Sequence, residues 1–178
     1  QWKFYENCTN RLPLYTRSEK RLIDYVYGVS KATHTSDVTI AGAAMIAEGV
    51  ASAIVNDDFE QVLSDILSVE EAGYEKGCET FSPRLAERVK IGVQIAKEYA
   101  NDEDAFSKKI YDVIGAGVGI IESVPAAVSI AYYTQDPNKC CLMCANLGGD
   151  IDQSERWQQL YVGHLLVIQR LIQSTQNF

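Results

Sequence analysis

Apolar residues recur every three to four positions along most of the chain, which is the spacing of a helix face. Over residues 19–29, Leu22, Ile23, Val26, Tyr27 and Val29 fall on one side. Residues 37–55 are apolar or small on nearly every face, which predicts a central helix buried all round. Its Gly42, Ala43, Ala47, Ala51 and Ala53 would let neighbouring helices approach closely. Phe59, Val62, Leu63, Ile66 and Leu67 form the next stripe, with Asn56 and Asp57 as its N-cap. Ser82-Pro83 reads as an N-cap serine followed by proline at the first helical position. The stripe behind it is Leu85, Val89, Gly92, Val93 and Ala96. Phe106, Ile110 and Val113 mark a further helix, ended by Gly115, Gly117 and Gly119. Pro125 is placed to open the helix that carries Val128, Ala131 and Tyr132, and Asp136-Pro137 to cap the short helix after it. Trp157, Leu160, Tyr161, His164, Leu165, Ile168, Leu171 and Ile172 give a last stripe, with Ser154 or Asp152 as its cap. No stretch alternates as a strand, and neither Asn-Gly nor Asp-Gly, the strongest hairpin turn dipeptides, occurs. The expected fold is all-α, a single compact multi-helix domain over residues 1–178.

Composition narrows the partners. The chain has 178 residues, 47% of them hydrophobic, and a formal net charge of -8, so it reads as a globular and acidic chain. Without a basic stripe it is not expected to bind nucleic acid through phosphates. Residues 38–55 form the longest apolar run but carry Glu48, and residues 1–10 lack an apolar signal core, so neither membrane nor secretion is expected. Five cysteines, Cys8, Cys78, Cys140, Cys141 and Cys144, do not make a disulfide framework. Together these features point to a cytoplasmic location.

The segment with the most chemistry is Asn146-Leu147-Gly148-Gly149-Asp150-Ile151-Asp152. Two glycines before a carboxylate allow a sharp turn and close approach to a ligand. Two carboxylates one residue apart can aim oxygens into one small volume, as a hard divalent cation requires. The alternative is an acidic loop that caps the following helix. Cys140-Cys141 and Cys144 share one helical turn, but four converging zinc ligands are not available, so packing is expected there. His164 sits on an apolar stripe and is read as a packed core residue. Asp57-Asp58 is read as a solvated cap, and Glu122 as either a supporting acid or an exposed helix-start charge.

Order and spacing extend the reading. Thr33-His34 precedes the alanine-rich helix. Glu122-Ser123-Val124-Pro125-Ala126-Ala127 follows much later, and the Asn146 to Asp152 motif comes after one more helix. This arrangement, from about Glu19 to Asp152, resembles the ADP-ribosylglycohydrolase family, of the dinitrogenase reductase-activating type. The resemblance implies an all-α fold and two Mg²⁺ ions. It implies Mg²⁺-dependent hydrolysis of the glycosidic bond between ADP-ribose and an acceptor, either a protein side chain or a small molecule. It carries the metal-ligand role to Asp150 and Asp152, and a substrate-pocket role to His34, with Asn146, Gly148 and Gly149 beside it. No catalytic acid or base is assigned.

Two departures bear on activity. The family's amino-terminal acidic cluster, of the T-D-D-T type, has no counterpart here, and Gln153 stands where the family has threonine. The helix expected after the motif is also absent, the likeness resuming near Trp157. The pattern therefore predicts a missing segment, and a break in the chain, between Asp152 and Gln153. A second discontinuity is expected between Tyr5 and Ser18, around Asn10-Arg11-Leu12-Pro13. If the chain is complete, the expectation moves to a non-catalytic ADP-ribose binder or a structural protein of the same fold.

Overall fold

The computed structural model describes residues 19–147 other than 54 and 57. The last apolar stripe with His164, the glycines and aspartates of residues 148–152, Cys8, and both expected discontinuities lie outside the described residues. Within them the chain is helical: α1 Glu19–Ser30, α2 Asp37–Ala53, α3 Phe59–Ser68, α4 Glu70–Tyr74, α5 Leu85–Glu98, α6 Glu103–Val113, α7 Ile120–Thr134 and α8 Pro137–Asn146. There is no strand among the described residues, only an isolated parallel bridge between Ser36 and Cys78. No helix is long and apolar enough to cross a membrane among the described residues.

The chain groups into two compact units, Gln1–Ser82 and Pro83–Phe178. The first is built on α2, which packs against α1, α3 and α4. Ile40, Ala41, Ala44, Met45 and Val50 on α2 are all essentially removed from water, as the sequence requires of a helix with no polar face. Close approach is achieved from the other side as well. A Cβ on Gly73 of α4 would lie 2.5 Å from the Ala41 Cα, so only glycine fits there. α3 starts one or two residues later than the Asn56-Asp57 cap expected from sequence: Asp58 is the N-cap and accepts the Glu60 N–H at 3.0 Å.

The second unit is built on α7, buried without interruption from Ser123 to Ala131, which packs against α5 and α8. Here two start signals were overridden. α5 begins at Leu85 rather than behind Ser82, with Arg84 at the N-cap and no side-chain cap. α7 begins at Ile120, so Pro125 lies inside the helix instead of opening it. A proline there has no N–H to give to the carbonyl four residues back, which is that of Ile121. Arg88 of α5 supplies the missing donor: its Nε donates to the Ile121 carbonyl oxygen at 2.7 Å. The same guanidinium donates from a terminal nitrogen to the carbonyl of Ile114, the C-cap residue of α6. One cation thus satisfies the acceptor orphaned by proline and an acceptor left open at a helix end.

α5 and α7 approach closely at Gly92 and Ser129. A Cβ on Gly92 would meet the Ser129 Oγ at 1.8 Å and its Cβ at 2.9 Å, while that hydroxyl donates to the Pro125 carbonyl at 2.6 Å. Gly92→Ala is expected to destabilise this unit by about 1–3 kcal/mol through overpacking. Urea unfolding of Gly92→Ala beside Gly92→Ala/Ser129→Ala checks this, since removing the hydroxyl should recover part of the loss.

Candidate functional site

His34 lies on the short connection between α1 and α2. The Ser30 carbonyl at the end of α1 accepts the N–H of Thr33 at 2.9 Å and that of His34 at 2.8 Å. The Thr33 hydroxyl lies 3.0 Å from His34 Nδ1 and 3.4 Å from the same Ser30 carbonyl. A hydroxyl has one proton. When it goes to the carbonyl, Nδ1 is the donor to Thr33. The imidazole is half-exposed.

The other end of this connection is held by residues 77–80. Cys78 donates its N–H to the Thr35 carbonyl at 2.7 Å, and its carbonyl accepts the Asp37 N–H at 2.9 Å. Asp37, the first residue of α2, is buried at 6% exposure. Its Oδ2 accepts the Thr80 N–H at 3.1 Å, and its Oδ1 accepts both the Thr80 hydroxyl and the Val38 N–H. Gly77 is required for this approach, because a Cβ there would fall 2.2 Å from the Asp37 Cα. Sequence reasoning did not single out Asp37 or Thr80. They are 43 residues apart, and the only local trace is an acidic residue in the first turn of a helix.

Burial pushes the Asp37 carboxyl up, but the Thr80 hydroxyl and the N–H groups of Thr80, Val38 and Asp37 itself favour the charged form, and the net shift is downward. A carboxyl depressed on folding contributes stability above its unfolded pKa and loses it as pH falls through the folded value. The stabilising difference between wild type and Asp37→Asn should therefore be present at about pH 7 and shrink below about pH 4. Urea midpoints of both proteins at the two pH values measure it, and a pH-independent difference would contradict the linkage.

In the second unit, Asn146 is the last residue of α8 and is exposed. α8 follows the sequence signal closely: Asp136 caps it by accepting the Lys139 N–H at 2.8 Å, with Pro137 in its first turn. Cys140, Met143, Cys144 and Leu147 form its buried face, so Cys140 and Cys144 pack as small apolar residues. α8 therefore ends with Asn146 in water and Leu147 in the core, immediately before Gly148. Glu122, in the first turn of α7, is half-buried and turned onto the loop that precedes the helix. Its Oε2 accepts the Gly117 N–H at 2.8 Å, and a Cβ at Gly115 or Gly117 would run into this carboxylate. Gly115 has a φ of 91°, a backbone region that favours glycine.

Of the residues expected at the site, His34 and Asn146 are thus placed, in the first and second units respectively. Gly148, Gly149, Asp150 and Asp152 lie outside the described residues. No group of three or more His, Cys, Asp or Glu side chains suited to a metal occurs among the described residues.

The family model for ADP-ribosylglycohydrolases matches residues 10–153, which takes in α1 to α8 and the whole of the glycine–aspartate motif. The chain belongs to the ADP-ribosylglycohydrolase family. The all-helical fold agrees with that membership. The match ends one residue beyond Asp152 and begins at Asn10. The chain is also 39% identical over 140 residues to an Escherichia coli (strain K12) protein described as uncharacterized protein YegU. That alignment covers 78% of this chain and 42% of the relative, so the chain spans less than half the length of that relative. No solved structure matches the chain significantly.

Proposed function

We propose that the protein hydrolyses the glycosidic bond between ADP-ribose and an acceptor, a protein side chain or a small molecule. The observation that carries this reading is the family match, which includes Asn146-Leu147-Gly148-Gly149-Asp150-Ile151-Asp152 at its end. Because that match runs across both compact units, we take them as parts of one functional domain. Members of the family typically depend on Mg²⁺, and the donor set here fits that ion: two carboxylates one residue apart, behind two glycines, supply hard oxygen ligands. Asp150 and Asp152 would hold the metal, two ions in all being expected, and the bound metal would supply polarisation of a water and orientation of the ribose hydroxyls. His34, Asn146, Gly148 and Gly149 would line the substrate pocket. The glycosidic bond breaks through an oxocarbenium-like state, so groups that hold the ribose ring and its hydroxyls carry much of the task.

One observation favours a second reading. Gln153 stands where the family has threonine, and its longer side chain would not put an oxygen where a threonine hydroxyl sits. A non-catalytic ADP-ribose binder or a structural protein of the same fold would tolerate that change. The two readings separate when the full-length protein is incubated with ADP-ribosylated protein and with small ADP-ribose conjugates. Release of free ADP-ribose that stops with EDTA and returns with Mg²⁺ supports the hydrolase. Tight binding of ADP-ribose with no release under any Mg²⁺ concentration supports the binder and overturns the hydrolase.

A further inference from the structure

We infer that Asp37 and Thr80 form a clasp that positions His34 for its ligand, ADP-ribose or the ADP-ribosyl part of a conjugate. This rests on the substrate-pocket role proposed for His34. The geometry of the clasp does not depend on that role.

The imidazole is carried by a connection with no regular structure of its own. Its beginning is fixed by a single acceptor, the Ser30 carbonyl, which takes the N–H groups of both Thr33 and His34. Its end is fixed by the bridge in which Cys78 donates to Thr35 and accepts from Asp37. Those two backbone bonds hold only while residues 77–80 stay against the start of α2. The Asp37 carboxylate ties them there, accepting from the backbone and the side chain of Thr80 together, next to the ion pair of Lys76 with Asp24 of α1 at 2.6 Å. A helix-start aspartate acting on the helix dipole alone would need no such partner. The carboxylate is buried and its oxygens are directed to Thr80 and Val38, so it acts through the backbone of residues 33–36 rather than on a ligand. Gly77 completes the device, since any side chain there would push the segment off Asp37. Asp37 and Thr80 are accordingly positioning residues. Losing the clasp should leave His34 present but displaced, and small displacements of a binding group are costly.

The test uses the full-length protein and free ADP-ribose as the probe. Thr80→Val removes the hydroxyl with little change of shape, and Asp37→Asn alters the acceptor. Both should keep the helical circular dichroism, shift the ring resonances of His34 in nitrogen-15 spectra, and weaken ADP-ribose binding about tenfold. Thr80→Ser should behave as wild type. Where turnover is measured, KM should rise more than kcat falls. If Asp37→Asn does not fold, Thr80→Val decides. A folded Thr80→Val with unmoved His34 resonances and unchanged affinity overturns the clasp. His34→Ala with unchanged ADP-ribose affinity overturns the pocket role of His34, while a resonance shift in Thr80→Val still upholds the clasp.

Discussion

Asp150→Ala in the full-length protein is expected to lower Mg²⁺-dependent release of ADP-ribose by about a thousandfold. The estimate follows from the several kcal/mol that a bound metal contributes to transition-state stabilisation, at about 1.4 kcal/mol per factor of ten. Asp150 and Asp152 stand one residue apart, and two carboxylates that close repel unless a cation lies between them. With Asp150 proposed as a metal ligand, its removal takes away one of the two carboxylates that would hold the ion. Asp150→Asn keeps one oxygen donor, so part of its lost activity should return as Mg²⁺ is raised. Initial rates across a Mg²⁺ titration for wild type and the two variants measure this. Turnover by Asp150→Ala equal to wild type would refute the ligand assignment.

Arg88→Ala is expected to produce the largest loss of stability, about 2–4 kcal/mol, from two hydrogen bonds made by a charged donor in a half-buried setting. The decisive form of the experiment is a double-mutant cycle with Pro125→Ala. Alanine at 125 restores the N–H that can bond the Ile121 carbonyl within α7, so the Ile121 share of the Arg88 contribution becomes redundant. The cost of Arg88→Ala should fall by about 1 kcal/mol in the Pro125→Ala background. Equal costs in both backgrounds would show that Arg88 does not serve the proline gap. The Ile114 bond is untouched by this cycle, so some cost should remain.

The helices were legible in the sequence wherever burial alone sets their faces. The run without a polar face became α2, and the Leu22, Ile23 and Val26 stripe became the buried side of α1. Asp136 was legible as a cap because its partner lies three residues away. What was not legible depends on residues distant along the chain. Pro125 carries a strong local signal for a helix start, but Arg88, 33 residues from Ile121, makes an interior proline tolerable by donating to the carbonyl it orphans. α4 has five residues, too few to show a period, and is secured by the fit of Gly73 against Ala41. The candidate site divides in the same way. The proposed metal pair and the proposed pocket role of His34 rest on a motif and its order along the chain, whereas Asp37 and Thr80 meet only through folding.

The loop ahead of α7 has the composition of a phosphate cradle, three alternating glycines leading into a helix N-terminus. Part of its donor set is already taken by an anion that the protein itself supplies. Glu122 occupies the Gly117 amide, and the Gly115 amide is already committed to the Ile110 carbonyl at 3.1 Å. An incoming phosphate would meet a carboxylate of like charge where it needs a donor. The glycine loop is in effect liganded from within at Gly117, and an anion taking that amide would have to displace a tethered carboxylate.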